Sequence, residues 1–199
     1  MMHRSPPIAA CPYPGPQVYF GSGRRIDAYH FEASDLPPPL IGRGLARLAR
    51  FGGAGERSVS VAQHSLLLSH VVGSCRHRQR AALMHDVPEL WTGEIPRPIK
   101  NLCPGIQAAD ACSMHRLGEV FGIPSWAFEA IKDFDSRISY DERLFMFEHL
   151  DAADRAVAEE NKLGIHIVPV TDDVAAASWV RRFYQLFREG FTDAAPTAN

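Results

Sequence analysis

Apolar positions in this chain recur mainly at helical spacing. Val61–Val72 sets His64, Leu68 and Val71 at i, i+4 and i+7, one face of a helix. Ile41–Phe51 carries Ile41, Leu45, Leu48 and Ala49 in the same rhythm, and Gly52-Gly53-Ala54-Gly55 ends it. A third helix is expected over Gln79–Leu90, bent or ended near the His85-Asp86 pair, because Pro88 removes the amide bond to Met84. Ile106–Phe121 closes at Gly122, and Pro124 suits the first turn of Ser125–Asp133. Ser139–Leu150 and Asp151–Leu163 read as further helices, and the β-branched stretch Gly164–Val170 as extended. Thr171-Asp172-Asp173 caps a last helix over Val174–Glu189, with Ala176, Trp179, Val180 and Phe183 on one face and Gly190 as its stop. Alternation appears only over Gln17–Tyr29, around Gly21-Ser22-Gly23, where it predicts a short β-hairpin. Leu36-Pro37-Pro38-Pro39 interrupts the chain before any helix can begin, and Thr92–Lys100 is a proline-punctuated loop. The expected fold is mostly α: a compact helical bundle with a small N-terminal β-hairpin. Residues 1–16, rich in proline, form a flexible arm, and residues 17–199 one domain.

Composition narrows the function classes. At 199 residues and 46% hydrophobic, the chain can bury one real core. A formal charge of −2 offers no broad basic surface for duplex nucleic acid. No apolar run approaches the ~18 residues needed to cross a membrane. The N-terminus lacks the apolar stretch of a signal peptide. Cys11, Cys75, Cys103 and Cys112 are irregularly spaced without a C-x-x-C pair, and read as free thiols of a reducing compartment. The expectation is a cytoplasmic protein.

The chemistry concentrates in residues 81–100. Ala81–Met84 delivers the adjacent pair His85-Asp86, and Glu89 follows at i+4 from His85, on the same helical face. Imidazole and carboxylate side by side suit a borderline divalent metal. Burying them at the end of an apolar run is costly unless something compensates their polarity. His64 points where the core belongs, 21 residues ahead of His85, and an antiparallel helix pair brings the two together.

Three linked motifs carry a resemblance: Ser60-Val61-Ala62-Gln63-His64-Ser65, His85-Asp86-Val87-Pro88-Glu89, and Thr92-Gly93-Glu94-Ile95-Pro96-Arg97-Pro98-Ile99-Lys100. In this order the chain resembles the HD-domain metal-dependent phosphohydrolases. More narrowly, it resembles small bacterial and phage 5′-deoxynucleotidases and phage dATP triphosphohydrolases, over roughly residues 20–150. The resemblance implies one divalent ion per site (Mn, Co, Zn, Fe or Mg), with a further Mg on the phosphates as an option. Its ligands would be His64, His85, Asp86 and a later aspartate. Asp135, in Ile131-Lys132-Asp133-Phe134-Asp135 ahead of Glu142, fits that last place, and Asp154 of Ala153-Asp154-Arg155 is the reserve candidate.

Glu89 carries over as the acid/base group. Arg50, Lys100 and Lys132 match cations that the family uses on phosphate and sugar. Glu94 stands in the place of a family aspartate that accepts from the sugar 3′-hydroxyl. Phe51, where relatives often carry tryptophan, and Pro98 would wall the sugar against a 2′-hydroxyl. The implied reaction is hydrolysis of a 2′-deoxynucleotide. Release of triphosphate from a dNTP, with dATP favoured by the phage relatives, is the leading form, because Arg24, Arg25 and Arg97 add cations for a long phosphate tail. The alternatives are a 5′-deoxynucleotidase acting on dNMPs, and a non-catalytic nucleotide sensor on the same scaffold. The resemblance also implies a homo-oligomer, a dimer or hexamer.

Overall fold

In the computed structural model, residues 11, 14–21 and 23–187 are described. The chain opens with strands β1 (Gln17–Phe20) and β2 (Arg24–Asp27), an antiparallel hairpin pairing Val18 with Ile26 and Tyr19 with Arg25. Helices follow: α1 (Pro38–Ala46), α2 (Val61–Val71), α3 (Arg76–Met84), the short α4 (Glu89–Thr92) and α5 (Arg97–Lys100), and α6 (Pro104–Phe121). The last are α7 (Ser125–Met146), α8 (Ala152–Asn161) and α9 (Asp172–Phe187). The described protein is mostly helical with one small hairpin, as the periodicity predicts. Among the described residues no helix is long and apolar enough to cross a membrane.

Local chemistry explains most boundaries. Ser60 caps α2 by accepting from the Gln63 amide at 3.2 Å. Gly122 ends α6 in the left-handed region at φ 63°, which a residue with a Cβ resists. Two expectations need correction, and a third is met. The α1 helix begins at Pro38, inside the proline run, because the first helical turn has no use for the missing amides. The break expected near the His85-Asp86 pair is present: α3 stops at Met84, a turn spans 85–88, and Pro88 precedes α4. The two helices expected over 125–133 and 139–150 are one 22-residue helix, α7, since nothing between them breaks it.

Smaller differences lie in the loops. The 92–100 loop contains the single-turn helix α5, and Gly164–Val170 forms no ladder among the described residues. The thiol reading also changes. Cys11 and Cys112 are joined as a disulfide, and Cys75 and Cys103 are free. The pair is 101 residues apart, and folding brings the two Cα atoms to 5.2 Å, which spacing alone could not foresee. The expectation of four free thiols therefore holds only for Cys75 and Cys103. Most of the 1–16 arm, and Gly190, lie outside the described residues.

The core forms where α3, whose last turn is wholly buried, meets α2, α7 and α9. The α9 helix also packs on α1, whose Gly42 permits the approach: a Cβ there would lie 3.0 Å from the Ala176 carbonyl oxygen. Trp179 of α9 is fully buried, and its Nε1 donates to the Leu83 carbonyl at 3.2 Å. That bond satisfies backbone at the end of α3, two residues before His85. Trp179→Ala should therefore cost about 3–5 kcal/mol, as deletion of a large buried aromatic does. The check is urea unfolding followed by circular dichroism.

Candidate metal centre

Three elements deliver the metal-type side chains. His64 comes from the buried face of α2, His85 and Asp86 from the turn that ends α3, and Asp135 from the middle of α7. Ligand atoms of His64, His85 and Asp135 all lie within 4.8 Å of one another. His64 Nε2 stands 3.2 Å from Asp135 Oδ1 and 3.6 Å from Asp86 Oδ2. His85 Nε2 stands 3.1 Å from Asp86 Oδ1 and 3.6 Å from Asp135 Oδ1. Yet His64 Nε2, His85 Nε2 and Asp86 Oδ2 are buried without a hydrogen-bond partner. The two ring atoms lie within 4.8 Å of an Asp135 oxygen and of each other, close enough to share one ion. Buried polar atoms are costly when unsatisfied, and a cation there would satisfy all of them.

The opposite edge of each imidazole is occupied. His64 Nδ1 lies 2.6 Å from Glu142 Oε1, and His85 Nδ1 lies 2.9 Å from the Ala82 carbonyl. A carbonyl only accepts, so His85 Nδ1 carries the proton and its Nε2 is left to bind a metal. Donation from His64 Nδ1 to Glu142 sets the same tautomer. This outer arrangement is how proteins orient metal-binding histidines. The group of His64, His85 and Asp135 can therefore hold a metal ion, and the Asp86 carboxylate lies beside it, 3.1 Å from His85 Nε2 and 3.6 Å from His64 Nε2. These are the four residues singled out in the sequence. The reserve candidate Asp154 stands exposed on α8, at the Asp151 cap, and is no part of it.

Electrostatics show the same deficit. Burial and Arg50 oppose charge on His64, but Glu142 and Asp135 overcome them and carry its pKa up to about 10. Burial likewise opposes charge on His85, and Asp86 and Asp135 raise it. Against the push of its own burial, Asp135 is held well below the usual carboxylate range by His64 and His85. Without a metal the carboxylates draw a proton onto the rings; a divalent ion replaces that positive charge and releases the proton.

Around the centre, Glu89 is 8% exposed, and burial followed by Asp86 pushes its carboxyl up to about 9. Its Oε2 has no partner. Because the helix breaks at 85–88, Glu89 is placed by the turn, its amide donating to the Asp86 carbonyl at 3.0 Å, and not by a continuous helical face. Arg50 Nε donates to Glu142 Oε2 at 3.1 Å, so one buried carboxylate bridges His64 and Arg50. Glu94 accepts from the Phe51 and Gly52 amides at 3.1 and 3.0 Å. Those amides converge because Phe51 and Gly52 both adopt left-handed backbone, φ 54° and 61°. Phe51 meets Phe147 edge-on at 5.7 Å.

The remaining expected residues divide. Lys100 pairs with Asp110 of α6 and lies close enough to Glu89 and Asp86 for their charge to raise its pKa further. Pro98 is exposed on α5. Lys132 is not brought to the cluster: it pairs with Glu129 at 2.8 Å and lines a cavity of about 550 Å³ beside Met114 and Phe128. Sequence reasoning missed the parts of Glu142 and Asp110. Glu142 had been noted only as an acid downstream of Asp135, and no local signal marks Asp110.

Comparisons with known proteins come from uncharacterized relatives. A Rhodobacter capsulatus protein is 37% identical over 86 residues, which is 40% of this chain and 44% of that protein. The uncharacterized protein YfdR of Escherichia coli is 31% identical over 103 residues, 52% of this chain and 57% of its own length. The chain thus spans about half the length of the curated relatives it matches. No family model matches it.

Two outcomes follow from the centre. Asp86→Ala should abolish divalent-metal binding, measured by calorimetry, while far-ultraviolet dichroism stays helical. Raised folded-state pKa values stabilise below the unfolded value and lose that stability as pH rises through the folded one. Glu89 acts so between about 4.5 and 9, and His64 between about 6.5 and 10. The metal-free protein should therefore melt at falling temperature from pH 6.5 to 10, read by scanning calorimetry in chelator.

Proposed function

We propose that this protein is a metal-dependent phosphohydrolase of 2′-deoxynucleotides, of the HD-domain type that its three motifs resemble. The observation that carries the reading is the gathering of His64, His85 and Asp135 ligand atoms within 4.8 Å of one another, with Asp86 3.1 Å from His85 Nε2 and with Glu89 and Arg50 close enough to feel the charge of Asp86. His64, His85, Asp86 and Asp135 would hold the ion. When bound, a divalent ion supplies an acidified water, neutralises phosphoryl charge and keeps Glu89 ionised. Glu89 takes the proton of the attacking water and returns it to the leaving 5′-oxygen as the P–O5′ bond breaks. Arg50, with Nε held by Glu142 and Nη1 3.7 Å from Glu94 Oε1, would lend its positive charge to the phosphoryl group, and Lys100 adds a second cation. Phe51 and Pro98 contribute the sugar wall. Glu94, already clasped by two amides, has its remaining acceptor capacity for the 3′-hydroxyl.

The leading form remains cleavage of a dNTP, dATP in first place, to deoxynucleoside and triphosphate. A specific observation favours the dNMP reaction as a second reading. Of the cations that suggested a long phosphate tail, Arg24 pairs with Asp35, Arg97 with Asp135, Lys132 with Glu129 and Lys100 with Asp110. A single phosphate needs fewer free cations. A homo-oligomer in a cytoplasmic setting completes the proposal, with no duplex nucleic acid or membrane as partner.

The deciding assay incubates purified protein with each dNTP, rNTP and dNMP in Mn²⁺, Co²⁺ or Mg²⁺ and separates the products. Deoxynucleoside plus intact triphosphate supports the leading form. Phosphate from dNMP alone selects the nucleotidase. No turnover with any metal would favour a nucleotide sensor. Glu89→Gln should lower kcat by about 10²–10⁴ while metal binding persists.

A further inference from the structure

The proline-punctuated segment from Gly93 to Lys100 crosses the metal centre and is pinned at three places, each three residues from the next. Glu94 holds the Phe51–Gly52 turn, Arg97 reaches α7, and Lys100 pairs with Asp110 on α6. The middle pin touches a ligand. Arg97 donates through Nη2 to Asp135 Oδ2 at 3.0 Å and through Nη1 to Ser136 Oγ at 3.0 Å. The other oxygen of the same carboxylate, Oδ1, is the one that faces His64 Nε2 and His85 Nε2. The geometry points to Arg97 as a positioning residue of the metal centre: its guanidinium holds the outer oxygen of Asp135, so that the inner oxygen is presented to the ion.

Physical reasons favour this over a phosphate-binding task for Arg97. A carboxylate on a long α7 can rotate about its side-chain torsions, and a carboxylate that binds metal is usually fixed by hydrogen bonds from outside. Arg97 supplies a planar fork with both arms used, on Asp135 and on Ser136, a geometry that a lysine point charge does not reproduce. Its backbone is constrained in turn, because Pro96 and Pro98 flank it and limit the torsions through which it could swing away. Coulomb repulsion between the guanidinium and a bound cation opposes the effect. Arg97 is 59% exposed, so solvent screens much of that repulsion, whereas the bond to Asp135 is direct.

This inference rests on the metal-centre reading, and cobalt(II) titration of the full chain separates the two. Wild type, Arg97→Ala and Arg97→Lys are titrated by calorimetry, and the visible ligand-field spectrum of the bound cobalt is recorded. Thermal melts of the metal-free variants confirm folding, which the exposure of Arg97 leaves intact. Arg97→Ala should bind cobalt about 10- to 100-fold more weakly with an altered spectrum, and Arg97→Lys should fall between it and wild type. An Arg97→Ala protein that binds equally or more tightly with an unchanged spectrum would overturn the positioning role while leaving the metal centre standing. Wild type that binds no cobalt, manganese or zinc would overturn the metal centre, and this inference with it.

Discussion

One hydrogen bond carries much of this structure: His64 Nδ1 to Glu142 Oε1, 2.6 Å long, with both side chains fully excluded from solvent. A carboxylate buried that deeply is tolerable only when fully paired. Glu142 meets this by spending one oxygen on His64 and the other on Arg50. The arrangement locks α2, α7 and the 50–53 turn into one unit. It also leaves His64 Nε2 facing inward, and the centre assembles around that atom. Outward from the metal point stand the His64 imidazole, then the Glu142 carboxylate, then the Arg50 guanidinium. Each layer makes the next affordable in a medium where an isolated charge is not.

Helices and loops divide the labour. Helices α2 and α7 and the turn that closes α3 supply the candidate ligands, and the wholly buried last turn of α3 leaves that backbone little freedom. The groups assigned to substrate sit on two short connections, 50–53 and 93–100, which cross the same face. These connections are held by polar contacts to each other and to the helices rather than by apolar burial. Left-handed backbone at Phe51 is the sharpest sign of this, since a bulky residue adopts it only where the surroundings impose it. The Glu94 carboxylate, accepting from two successive amides, is what imposes it here.

Periodicity located α2, α6 and α9 and the hairpin well, because their apolar stripes and caps are local features. It failed where local rules conflict. Proline both breaks helices and opens them, so the break after α3 is legible from Pro88 while the start of α1 at Pro38 is not. The length of α7 escaped because its two apolar stretches were read apart, although nothing between Asp133 and Ser139 stops a helix. The Cys11–Cys112 pair escaped because its partners meet only in space.

Residue types at close spacing determined the candidate chemistry: His85-Asp86 adjacent, Glu89 a turn away, and His64 on an apolar face one helix earlier. These are properties of a single segment and its period, and a sequence displays them directly. Choosing Asp135 over Asp154 for the last ligand was a matter of resemblance until the helices were placed. Only the crossing of α7 over the end of α3 brings Asp135 to the rings, while α8 carries Asp154 into solvent. The same holds for Glu142, Arg97 and Asp110. A charged residue reads the same in a sequence whether it is solvated or, like Glu142 on His64, buried against a partner 78 positions away, and which of these it becomes depends on how helix axes cross.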